Sequence, residues 1–324
     1  MSEQSRIVVI DGLNMFLRNY IINPKISTNG NPVGGLVGTL GSLRKVIRET
    51  KATTAIVCWD GPGGSLRRRE VIKEYKEGRK PIKKNYEIDG MDKQSERENQ
   101  VWQQSLLMEL LNNTPVLQLM LPGVEADDVI SHIVNHSHYR GDQKVIVSSD
   151  KDFIQLLDDE TILLRPIQKK ILTRVSVREE YDITPENFAL ARAIAGDKSD
   201  NLVGVPRAGL KTIAKRLPFM ADSVAYGHDH LEAYCQEKLG GVKFYRDVLE
   251  NMQLVQDNYR VMNLNPPSIS VNGKAKIDYA IENFDYSLNL TELKKISMTN
   301  GFADFDWSGL SGMLKRMVEH NKSA

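Results

Sequence analysis

Three aspartates each stand directly behind a short apolar run: Asp11 after RIVVI, Asp60 after TAIVCW and Asp150 after KVIVSS. Three further acidic groups join them. Glu125, Asp127 and Asp128 lie together in GVEADDVI, and Asp152 follows Asp150 by two positions. Asp197 and Asp200 stand three apart in GDKSDN, a spacing that a helical turn brings to one face. Any one of these acids is most simply a helix N-cap, and Asp128, Asp150 or Asp182 alone would be read so. Together they ask for another account, because nine carboxylates in one cleft repel each other strongly unless cations are present. Carboxylate oxygens suit hard cations, and magnesium binds through a few of them while keeping water. No His or Cys cluster competes for that role. The pattern is that of a two-metal phosphoryl-transfer site.

Whether these acids meet depends on the elements ahead of them. Short β-branched runs predict buried strands at Arg6–Ile10, Thr54–Trp59, Val116–Leu121 and Lys144–Ser148. Apolar periodicity predicts helices at about Gly35–Thr50, Lys93–Asn112 and Ala126–Asn135. Strand–helix–strand alternation implies an α/β fold with a mostly parallel central sheet covered on both faces. Ligands of such sheets bind just beyond the carboxyl ends of the strands, where Asp11, Asp60 and Asp150 fall. From about Pro185 strand signals fade and helices dominate. The chain therefore divides into a sheet region, 1–184, with an insertion at about 61–112, and a helical region, 185–324. The last 60 residues carry no legible chemistry.

Two basic segments flank the acids. Between Arg67 and Lys84, nine basic residues face three acidic ones, a local net of +6. Such a run is usually a solvated face, yet beside an acidic cleft it makes sense as a phosphate-steering element. Its candidate nucleic-acid contacts are Arg67, Arg68, Arg69, Lys73, Lys80, Lys83 and Lys84. Tyr75 is a candidate for stacking on unpaired bases, with packing beneath the insertion an equal alternative. The second segment runs from Gly204 to Leu217, GVPRAGLKTIAKRL. Two glycines in a tight turn before a helix leave backbone N–H groups for a phosphate. Gly204, Arg207, Gly209, Lys211 and Lys215 are thus candidates for backbone contacts without base readout.

The bulk numbers exclude little. Formal net charge is +1, so any electrostatic argument is local. Two cysteines, Cys58 and Cys235, make no disulfide framework and fit a reducing, cytoplasmic compartment. The N-terminus has no signal-peptide architecture, and no apolar stretch approaches the roughly 20 residues of a membrane span. His132 and His136 stand four apart on an expected helix, a spacing that can hold zinc. With no third ligand nearby in sequence, they read as a solvated helix face.

The segments VVIDGLN, YKEGRK, GVEADDVI, VIVSSDKDFIQLL and AIAGDKSDNLVGVP resemble, in order and spacing, the 5′-nuclease family. That family comprises flap endonucleases, the 5′-nuclease domain of bacterial DNA polymerase I, and bacteriophage 5′-exonucleases and RNase H enzymes. The likeness covers roughly Ile7 to Leu217, and the short insertion looks most like the bacteriophage members. It implies a PIN-like or Rossmann-like nuclease core with a helical arch, and a helix–hairpin–helix-type DNA clamp at 204–217. By resemblance, Asp11, Asp60, Glu125, Asp127 and Asp128 match the first-metal acids, Asp150 and Asp152 lie between the metals, and Asp197 and Asp200 form the second-metal pair. Lys76 and Arg79 match arch residues on the scissile phosphate, so Lys76, Arg79 and Asp150 are the candidate catalytic residues. The implied cofactors are two Mg²⁺ ions, with Mn²⁺ able to substitute. A K⁺ ion at the hairpin is also implied, although Arg207 and Leu210 stand where relatives often carry Gly and Pro.

The implied activity is 5′→3′ exonuclease and flap endonuclease cutting, with RNase H-type action on RNA–DNA, in primer and flap removal. The implied partners are branched or 5′-ended DNA and RNA–DNA, with single-stranded-DNA-binding or other replication proteins, for a monomer in an infected bacterial cytoplasm. A PIN-type ribonuclease is the alternative enzyme, against which the basic hairpin argues. A non-catalytic branched-DNA binder is the alternative outside catalysis.

Overall fold

The computed structural model describes residues 5–79, 83–87 and 91–323. Six strands form one sheet: β1 (Arg6–Asp11), β2 (Thr54–Trp59), β3 (Val116–Met120), β4 (Gln143–Val147), β5 (Thr161–Arg165) and β6 (Lys170–Leu172). Their order is β3-β2-β1-β4-β5-β6, with only the β5–β6 pair antiparallel. Strands β1 to β4 fall within a residue or so of the expected positions. The β5–β6 hairpin was not anticipated; its strands are short and the turn between them carries Pro166 and Lys169 at φ 49°.

The central strands are apolar at nearly every position because both faces are covered. Val8, Ile10, Val57, Val145 and Val147 face one core. Ile7, Val9, Ile56, Cys58 and Ile146 face the other. The first core is closed by helix α1 (Gly12–Ile22), α2 (Gly34–Thr50) and α4 (Lys93–Leu111). Leu36, Leu40, Leu43 and Ile47 recur on α2 at the spacing of one helical face, and all are buried. Among the described residues between β2 and α4 there is one short helix, α3 (Leu66–Val71), followed by turns.

The second core begins with α5 (Ala126–Val134), a 3-10 turn at Asp152–Leu156, α6 (Arg174–Tyr181) and α7 (Pro185–Ala195). It runs on without a break through α8 (Leu210–Arg216), α9 (His228–Glu237), α10 (Lys243–Glu250), α11 (Met252–Met262) and α12 (Val271–Glu282). One apolar core therefore spans position 184. The last two helices, α13 (Leu290–Thr299) and α14 (Trp307–Ser323), return to the opposite face, where Leu293, Phe302, Leu310 and Leu314 join α2. Among the described residues no helix is long and apolar enough to cross a membrane.

Candidate active site at the strand ends

The strand order reverses between β1 and β4, which places a crevice at their carboxyl ends. Asp11 closes β1 there and caps α1, accepting the Asn14 N–H (3.0 Å). Its other oxygen accepts from the Ser148 hydroxyl across the crevice (2.9 Å). Asp150 follows β4, its amide donating to Ser148 Oγ (3.1 Å) and its carboxylate accepting from the Asp152 N–H (2.9 Å). Asp60, after β2, accepts the Ala126 N–H at the start of α5 (2.8 Å). Asp11 thereby ties the end of β1 to that of β4, and Asp60 ties the end of β2 to α5.

Like charges and burial act on this group together. Burial, then the charges of Asp60 and Asp150, push the Asp11 carboxyl up to about 7 despite its two hydrogen bonds. Burial and Asp150 likewise push Asp152 up to about 7, against the opposing pull of Arg192. Asp127 is raised well above the ordinary carboxylate range by burial, with Asp150 and Glu125 adding to it and Lys76 opposing. Burial would also raise Glu125, but the charges of Arg68 and Lys76 overcome it and hold the group below its usual value. Carboxyls disfavoured as anions by burial first and by one another second form an oxygen set on which a cation would be stabilising. Among the described residues these acids do not bring three ligand atoms within 4.8 Å of one another, so as they stand at most two could touch one ion directly and the others would reach it through water.

The basic insertion lies on this cleft. Lys76 Nζ meets Glu125 Oε1 at 2.8 Å, and its backbone is held at φ 58°, a region L residues rarely adopt. The Lys76 N–H donates to the Asp200 carbonyl (2.9 Å), and the Arg79 guanidinium pairs with the Asp200 carboxylate. Strain held in place by such bonds collects at functional positions. Asp197 accepts from the Ser199 N–H and hydroxyl (2.7 and 2.6 Å) and pairs with Arg192. Burial raises Asp197, and Ser199 and Arg192 more than offset it, so the group sits below its ordinary value. One open cleft is lined by Asn14, Asp150, Lys151, Arg165, Arg192 and Asp197, among others.

The N-terminal resolvase-like domain of 5′–3′ exonucleases matches residues 6–182, more than half of the chain. The chain belongs to the 5′–3′ exonuclease family. As a member of it, the protein is a nuclease. It is 30% identical over 212 residues to a 5′-3′ exonuclease of Buchnera aphidicola, covering 65% of this chain and 69% of that one. It is also 30% identical over 215 residues to the thermostable DNA polymerase I of Thermus thermophilus, of which only 24% is covered. The fold of this exonuclease is similar to that of the bacteriophage T5 5′-exonuclease with bound zinc ions (TM-score 0.63, 19% identity, 91% of this chain and 98% of the other). A T5 flap endonuclease in a pseudo-enzyme–product complex with DNA and metal ions aligns at TM-score 0.64 and 20% identity, over 91% of this chain and 99% of that one.

Four of the expected site residues already have close protein partners in this structure. Arg68, expected to meet nucleic acid, is buried between Glu125 (2.5 Å) and Asp128 (3.1 Å), its Nε donating to the Val261 carbonyl (2.8 Å). Asp128, an expected metal ligand, has one oxygen paired with Arg68 (3.1 Å) and the other accepting the Ser268 N–H (2.7 Å), as Glu125 has both of its oxygens paired. Tyr75 packs beneath the insertion, its hydroxyl on Glu125 (3.2 Å), so its ring is not free to stack on a base. Lys84 lies 4.9 Å from the Tyr20 ring centroid and 3.2 Å from Glu96, with its side chain buried.

Arg67, Arg69, Lys73, Lys83, Arg207, Lys211 and Lys215 are exposed; Lys80 lies outside the described residues. In the hairpin, Gly204 is required by close approach: a Cβ there would fall 2.1 Å from the Ala195 carbonyl oxygen. Gly209 caps α8 in open space, and Arg207 takes φ 62°, the conformation a glycine would hold without strain. Arg192, which joins Asp152 (3.0 Å) to Asp197, was not foreseen; a single arginine within a helix has no sequence signature.

Proposed function

We propose that this exonuclease is a structure-specific 5′-nuclease that hydrolyses phosphodiesters near a 5′ end or junction in branched DNA and RNA–DNA, as exonuclease and flap endonuclease. The observation that carries this is the convergence of Asp11, Asp60 and Asp150 at the carboxyl ends of β1, β2 and β4, with Lys76 paired to Glu125 and Arg79 to Asp200 beside them. Oxygen-only donors with raised affinity for protons fit divalent metals, and both T5 structures were solved with metal ions bound. In this reading Asp11, Asp60, Glu125 and Asp127 would hold one Mg²⁺, directly or through water, Asp197 and Asp200 would hold a second, and Asp150 and Asp152 would lie between. Bound there, the two ions would lower the pKa of attacking water and neutralise charge on the attacking and leaving oxygens.

The protein's own groups do the remainder. Lys76 and Arg79 now neutralise Glu125 and Asp200; once cations take over those carboxylates, both side chains become available to a scissile phosphate. Arg192 is placed to exchange between Asp152, Asp197 and the substrate in the same way. Arg207 brings a fixed positive charge to the hairpin, so we assign the backbone-phosphate contact there to its guanidinium in place of K⁺. RNase H-type action, monomeric function, work beside single-stranded-DNA-binding and other replication proteins, and a cytoplasmic role in primer removal in a phage-infected bacterium belong to the same reading.

The test is a 5′-labelled flap incubated with Mg²⁺ or with EDTA, for wild type and Asp150→Ala. Magnesium-dependent cleavage is expected from the wild type, and binding without cleavage from the variant. Binding by the wild type with no cleavage in Mg²⁺ would overturn the enzymatic reading; wild-type turnover by Asp150→Ala would overturn the site.

A further inference from the structure

Helix α5 carries acids at its start and a second set of metal-type donors at its end. His132 and His136, four residues apart, point Nε2 at the same oxygen of Asp278 on α12, at 2.6 and 3.1 Å. The three ligand atoms lie within 4.8 Å of one another, the only such trio among the described residues. Asp278 is 142 and 146 residues distant in sequence, which is why the histidine pair alone read as a solvated face. We infer that His132, His136 and Asp278 form a zinc site that fastens α12 to α5, distinct from the strand-end cleft.

The donor set decides the ion. Imidazole nitrogens are poor ligands for magnesium and suit zinc, and two histidines with one carboxylate leave a fourth position for water. Tetrahedral zinc sets its ligand atoms roughly 3.4 Å apart, so the two N···O contacts, now 2.6 and 3.1 Å, need open by less than about 1 Å. All three residues are partly exposed, giving an ion a route in. One rearrangement is required. His136 Nδ1 accepts the His138 N–H at 3.1 Å, which leaves the ring proton on Nε2. A zinc-bound Nε2 moves that proton to Nδ1, so this exposed bond is given up and Nδ1–H turns to water.

The location gives the ion a task. The same face of α5 already holds the incoming C-terminal segment at two points: Asp128 accepts the Ser268 N–H (2.7 Å), and the Ser131 hydroxyl donates to the Leu264 carbonyl (2.6 Å). A zinc ion would be the third and last fastening along that helix. It would set α5, and with it the turn bearing Glu125 and Asp127, against α12.

The test uses the full chain, stripped with EDTA and returned to excess Mg²⁺ to occupy the acid cleft. Titration with Zn²⁺ is expected to show one tight equivalent and a rise in Tm of a few degrees. Co²⁺ should give the intense visible band of a four-coordinate, nitrogen-ligated ion. His132→Asn/His136→Asn should lose both. Asp278→Asn, which keeps the shape of the site, should weaken zinc at least tenfold while its metal-free Tm stays near wild type; this variant carries the test if the double variant fails to fold. Equal zinc affinity in wild type and Asp278→Asn, or a wild type without the cobalt band, would overturn the assignment.

Discussion

Replacing Arg68 by Ala should cost stability without altering the electrostatics of DNA binding. Arg68 is 7% exposed and faces two carboxylates, Glu125 and Asp128, that are 3% and 2% exposed. Breaking a buried ion pair by removing one partner costs about 3–5 kcal/mol, because the remaining charge is left without its counterion. Glu125 would keep Lys76 at 2.8 Å, whereas Asp128 would keep only the Ser268 N–H. The loss should therefore fall near the lower end, about 3 kcal/mol, most of it from Asp128. With a urea m-value near 3 kcal/mol per M, the midpoint would drop by about 1 M. Far-UV circular dichroism in urea measures this, and the salt dependence of duplex binding supplies the control. A phosphate-contacting arginine would instead lower the slope of log Kobs against log salt by about 1 and leave the midpoint in place. That second outcome would refute the structural assignment of Arg68.

The raised carboxyls make a pH prediction of definite sign. Asp11 and Asp152 move from 3.8 to about 7, so between those values the folded chain holds protons that the unfolded chain has lost. Stability of the metal-free protein should accordingly fall as pH rises from about 4 to about 7; parallel Tm–pH profiles in EDTA for wild type and Asp11→Asn/Asp152→Asn would contradict this. At the hairpin, Gly204→Ala places a carbon against the Ala195 carbonyl and should cost about 1–3 kcal/mol together with duplex affinity; unchanged binding in a mobility-shift assay would separate the hairpin from DNA.

Most of the scaffold was legible because its signals are local. Buried parallel strands are continuous apolar runs, and an acid directly behind one must lie at the sheet's carboxyl edge. Asp11, Asp60 and Asp150 could be placed on that ground alone. Pairing across the sequence was not legible. Arg68 looked like one more cation in a solvated run, yet its side chain turns inward to acids 57 and 60 positions on. Tyr75, Lys84 and Arg192 follow the same rule: residue type was plain, and the direction of the side chain was set by segments far along the chain. The histidine pair shows the limit most sharply, since its third ligand lies on a helix with no motif of its own.

The return of α13 and α14 to the α2 face has a consequence for biosynthesis. Residues of α2 share one apolar cluster with residues beyond 290, so that surface cannot close before α13 and α14 have left the ribosome. Until then the side of α2 turned away from the sheet lies open to chaperones or to sticking. Contacts of such long sequence separation also form slowly. Closure of that face is thus timed by α13 and α14, long after the residues that would do the cutting have been made.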